Sequence, residues 1–93
     1  MSAEKLTAKY VTSAEKVLRE LKQVEKDIIV SKESVKNVIA HATAYLADAK
    51  YYMAQRMFET SLTSIAYCEG LLDALKLIGA VKFEWPGNIE NEK

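Results

Sequence analysis

Glu69 and Asp73 lie four residues apart in SIAYCEGLLDALKLIG, the most apolar stretch of the chain. At that spacing two carboxylates share one face of an α-helix, and Lys76 joins them. A second polar strip, His41, Tyr45, Asp48, Tyr52 and Arg56, runs at spacings of four, three, four and four. Three uses of these residues are open. In the first, His41, Asp48, Glu69 and Asp73 hold a divalent cation, since facing helices can assemble carboxylates and imidazole into a metal site. In the second, His41, Tyr45, Asp48, Tyr52, Glu69 and Asp73 form a polar cluster in which the half-buried acids accept hydrogen bonds from tyrosine hydroxyls and His41. In the third, the acids face water and Lys76 is the i+3 partner of Asp73. The cation reading is the weakest, because there is one histidine and no paired Glu-x-x-His pattern. The structural hydrogen-bond network is the expectation carried forward.

Other chemistry finds no residues to perform it. The chain has no glycine-rich phosphate loop, no Gly-x-Ser-x-Gly and no Arg-x4–6-His. Ser61, Thr63 and Ser64 read as small packing residues, because a lone His41 supplies no base with a group to orient it. Cys68 is the only cysteine, so neither an internal disulfide nor a thiolate metal cluster can form. Its neighbours Leu72 and Leu75 make it a small core residue. No catalytic residue and no cofactor are expected.

The elements that position these groups are helical. Leu6, Tyr10, Ala14, Val17, Leu21, Val24 and Ile28 recur at spacings of three and four, predicting an amphipathic helix over about residues 3–29. The charges between them, of both signs, form its solvated outer face. Ser31 is a good N-cap for a second helix over about 32–55, with Glu33 favourably near its positive end. Val35, Val38, Ile39, Ala42, Tyr45, Leu46, Ala49, Tyr52 and Met53 line one side of it, and Lys36, Ala40, Ala44, Ala47 and Tyr51 give a weakly polar opposite side suited to contact. An unbroken helix to Gly79 would run about 70 Å, so a hairpin near Arg56–Glu59 is expected, with a third helix over about 59–78. Folding back there brings Tyr45 level with Glu69 and Gly70, and His41 level with Asp73. Gly70 would then allow close helix approach. Gly79 ends the third helix, and Val81, Phe83 and Trp85 alternate with Lys82 and Glu84 in an extended segment. Pro86-Gly87 turns the chain into a tail over 86–93. The fold class is therefore all-α: one domain, 1–93, an up-and-down three-helix bundle with a short extended C-terminal segment.

Composition narrows the partners. Ninety-three residues leave little core for a deep substrate pocket. Thirteen Lys+Arg balance thirteen Asp+Glu, removing the basic footprint of sequence-independent nucleic-acid binding. No apolar run has the length of a membrane helix and no signal-peptide pattern opens the sequence, so a cytoplasmic protein is expected.

The stretch DAKYYMAQRMFETSLTSIAYCEGLLDALKLIG resembles an archaeal family known as domain of unknown function 357. Asp48-Ala49, Tyr51-Tyr52, and Tyr67-Cys68-Glu69-Gly70-Leu71-Leu72-Asp73-Ala74 carry the likeness, and Phe83-Glu84-Trp85 continues it. Where the family often has Gly-Asp in its hinge, this chain has Arg56-Met57. The resemblance implies a three-helix bundle with no established activity, and an association of related domains with nucleotidyltransferase-like enzymes.

A third helix apolar on several sides exceeds what two neighbours can cover. The chain is therefore expected to act as a non-enzymatic helical module that binds itself, as a homodimer, or another protein. Tyr51, Phe83 and Trp85 are the candidate interface residues. A small metal-dependent enzyme built on the carboxylate and histidine cluster is the alternative, and docking to a nucleotidyltransferase-like enzyme a third.

Overall fold

A computed structural model describes residues 2–87 and contains three helices: α1 (Ala3–Glu20), α2 (Lys32–Ala54) and α3 (Phe58–Leu77). No strand occurs among the described residues, so the protein is all-α. The rest of the expected tail, residues 88–93, lies outside them. Among the described residues, no helix is long and apolar enough to cross a membrane.

Only α2 and α3 pack against one another among the described residues. They form an antiparallel hairpin whose seam buries mainly small side chains, Ala42 and Ala49 on one side and Ser61 and Cys68 on the other, with Leu75 beyond them. Each set repeats every seven residues, which keeps it on one face of its helix. Ser61 Oγ donates to the Ala49 carbonyl at 2.6 Å across the seam. One turn further along, Tyr45 and Tyr67 meet edge to face at 4.4 Å. The register thus differs from the one expected, since Tyr45 faces Tyr67 rather than Glu69 and Gly70. Contact between small side chains sets it. Gly70 takes no part, because a Cβ there would meet nothing within 4 Å.

Helix ends follow local chemistry. The Ser31 hydroxyl accepts from the Ser34 amide at 3.0 Å, the N-cap expected of it. At the C-terminus of α3, Gly79 sits at φ 80°, Ala80 N–H donates to the Leu75 carbonyl at 2.9 Å, and Gly79 N–H donates to that of Lys76 at 3.0 Å. This is a Schellman cap with glycine in its left-handed position. The α2 end repeats it: Met57 N–H reaches the Tyr52 carbonyl at 2.9 Å and Arg56 N–H that of Met53 at 3.0 Å. Here the left-handed residue is Arg56, at φ 62°. The hairpin turns without glycine because both capping bonds form, at the cost of backbone strain in Arg56.

The first helix ends earlier than its stripe. The periodic pattern reaches Ile28, but Leu21 is already extended, at ψ 152°, and residues 21–31 are not helical. Asp27 is followed by three β-branched residues, Ile28, Ile29 and Val30, which disfavour helix. Nothing covers the stripe there to offset that preference, and Ile29 is 96% exposed. No residue of α1 is buried.

Candidate functional site

The α1 stripe does not point into featureless solvent. Leu6, Tyr10 and Ala14 line one wall of an open cleft of about 900 Å³. Tyr45, Asp48 and Tyr52 of α2 and Glu59, Thr60 and Thr63 of α3 line the other. α1 therefore stands beside the hairpin with its apolar face turned toward it, too far off to interlock. The lining has three tyrosines, two carboxylates and no Lys, Arg or His. Its hydroxyls are joined to no carboxylate: Thr63 Oγ1 donates at 3.0 Å to the Glu59 backbone carbonyl of its own helix. Tyrosine rings and aliphatic side chains suit an apolar surface with a cationic rim better than they suit a reaction.

The cleft collects half of the polar residues singled out in the sequence, namely Tyr45, Asp48 and Tyr52. The other three are placed elsewhere. His41 is exposed and its Nδ1 lies 2.8 Å from the Asn37 carbonyl, a contact within its own helix. Glu69 is exposed on α3. Asp73 accepts a hydrogen bond, but from the Trp85 indole at 2.7 Å rather than from a side chain of α2. Among the described residues, no three His, Cys, Asp or Glu side chains are grouped to hold a metal ion.

Trp85 explains why the apolar face of α3 turns charged in its second half. Phe83 and Trp85 stack edge to face at 4.9 Å. Lys76 Nζ lies 4.9 Å from the centre of the Phe83 ring and 3.7 Å from a Glu84 carboxylate oxygen. The segment after Gly79 is thus folded back along α3, with Asp73 and Lys76 as its anchors. Glu84 is well exposed, so its ion pair contributes little, and the aromatic and indole contacts do most of the holding. Of the candidate interface residues, Tyr51 is exposed and packs on Tyr52 at 5.4 Å, while Phe83 is half-buried against Lys76.

Cys68 is buried in the seam, and burial, with the nearby charge of Glu69 second, pushes its thiol above the ordinary value of 9.0. A protonated, enclosed thiol is a packing group. The role of Ser61 as an inter-helix anchor was not drawn from the sequence. The signal present was the seven-residue spacing of Ser61, Cys68 and Leu75.

No curated protein and no solved structure matches the chain. A family model described as protein of unknown function (DUF357) matches residues 9–81, from the middle of α1 to the segment that folds back along α3. The hairpin, its hinge and the greater part of α1 all fall within that match, and the chain belongs to the DUF357 family.

Proposed function

We propose that this protein is a non-catalytic helical interaction module whose first helix and open cleft are completed by a protein partner. One observation carries the reading: an amphipathic helix of 18 residues has no buried residue. Short isolated helices are marginal in water, and most of their stability in proteins comes from burying the apolar face. Tyr10 and Val17, in the middle of the stripe, are 61% and 59% exposed.

The whole surface points the same way. A compact monomer of this mass exposes about 5,400 Å², whereas this chain exposes 8456 Å². The radius of gyration is 16.3 Å, against about 12 Å for a compact domain of this length. The test is sedimentation of the protein purified with its associated chains, compared with Leu6→Asp. Association in the wild type that Leu6→Asp abolishes supports the reading. A clean monomer at micromolar concentration, with no associated chain and with the α1 amides protected from hydrogen exchange, overturns it.

A further inference from the structure

We infer that the α2–α3 wall of the cleft is covered by α1 of a second copy of this chain, exchanged across a two-fold axis so that each first helix takes, on the other copy's hairpin, the place that copy's own α1 faces across the cleft. The inference rests on the interaction reading above and names the partner.

Three observations carry it. The first is area. The surface in excess of a compact monomer is roughly 3,000 Å² per chain, while a stable complex needs roughly 800 Å² from each partner. The excess is larger than the area such a complex needs, so an interface of standard size fits within it. The second is complementarity. Between Ala3 and Ala14, α1 carries Lys5 and Lys9 against Glu4 alone, on either side of Leu6 and Tyr10. The opposite wall carries Asp48 and Glu59 with no base. The apolar stripe with its basic rim and the aromatic groove with its acidic rim are thus two surfaces of the same chain. A pair of complementary surfaces on one chain closes as a two-fold dimer when two copies exchange the element reciprocally.

The third is the connection. Helix–helix connections in bundles usually take about two to eight residues, and here residues 21–31 are non-helical. That segment carries Leu21, Val24, Ile28, Ile29 and Val30, all exposed. Closing α1 onto its own hairpin would still leave them bare. In an exchanged dimer the two connections cross near the axis and cover one another.

The experiment is a mixing test on the full chain. Tyr10→Asp spoils the stripe and Thr63→Asp spoils the groove, and far-UV ellipticity checks that the α2–α3 hairpin is retained in both. The wild type is expected to sediment as a dimer at micromolar concentration, and each variant to associate at least about tenfold more weakly. Mixed together, the variants form one sound contact, the stripe of one copy in the groove of the other. The mixture should therefore dimerise at concentrations where neither variant does alone. A compact wild-type monomer overturns the inference, since α1 then closes on its own hairpin. A wild-type dimer without recovery on mixing also overturns it, because the copies then meet through another face while the interaction reading stands. A wild-type chain that associates only with a different protein has the same consequence.

Discussion

Among the described residues, Asp73 accepts from one donor, the indole of Trp85, and that contact lies at the surface. Removing the carboxylate leaves the indole free to bond water, so Asp73→Ala should cost under about 1 kcal/mol by urea unfolding. Its local effect should be larger than its global one. Trp85 is the only tryptophan, so a change in its emission reports release of the segment from α3. Glu15→Ala on α1 is the control and should leave both emission and midpoint unchanged. An unaltered emission spectrum in Asp73→Ala would mean that the indole bond does not hold the segment. Gly70 makes an opposite prediction. It sits in the interior of α3, where a Cβ meets nothing, so Gly70→Ala should raise stability by about 0.5–1 kcal/mol. A loss on that substitution would place a neighbour against Gly70.

The two helix ends of the hairpin form a natural comparison at the scale of the element. Both close with the same pair of capping bonds, one through Gly79 and the other through Arg56. Holding a non-glycine residue in the left-handed region costs about 1–2 kcal/mol, and a β-branched residue suffers most. Arg56→Gly should therefore be more stable than Arg56→Val by about 1–2 kcal/mol, measured by thermal or urea unfolding. Relative to wild type the gain from glycine is smaller. Glycine loosens the unfolded chain, and the substitution removes the guanidinium that lies 5.4 Å from the Phe58 ring centre. Equal stabilities for the glycine and valine variants would show that the hinge is not held in the left-handed conformation.

For the whole molecule, the question is whether stability belongs to one chain. If α1 gains its cover from a partner, unfolding is coupled to association and the urea midpoint depends on concentration. Raising the protein concentration a hundredfold should move the midpoint upward, by about 2.7 kcal/mol of added stability for a dimer that dissociates on unfolding. An invariant midpoint would assign the stability to the α2–α3 hairpin and the monomer alone. The cleft makes α1 the sensitive element, so its amides should exchange faster on dilution while those of Ala42, Ala49 and Cys68 stay protected.

Three helices, the Ser31 cap, the Gly79 stop and the hairpin near Arg56 were all legible in the residues. Period, capping chemistry and left-handed tolerance are local properties. The family was also legible, in the Tyr-Cys-Glu-Gly-Leu-Leu-Asp-Ala run. The end of α1 was not, because its stripe continues past the point where an uncovered helix can hold together. Nor was the partner of Asp73. Helical spacing shows which residues share a face, but only the fold-back after Gly79 brings an indole to that carboxylate. The register belongs to the same class. Ser61 and Ala49 are twelve residues apart in sequence, and their contact is decided by how closely two seams of small side chains approach. The polar strip of α2 was read as one cluster because spacing cannot say what lies opposite. Tertiary structure divided it, turning Tyr45, Asp48 and Tyr52 toward the cleft and leaving His41 bound to its own helix.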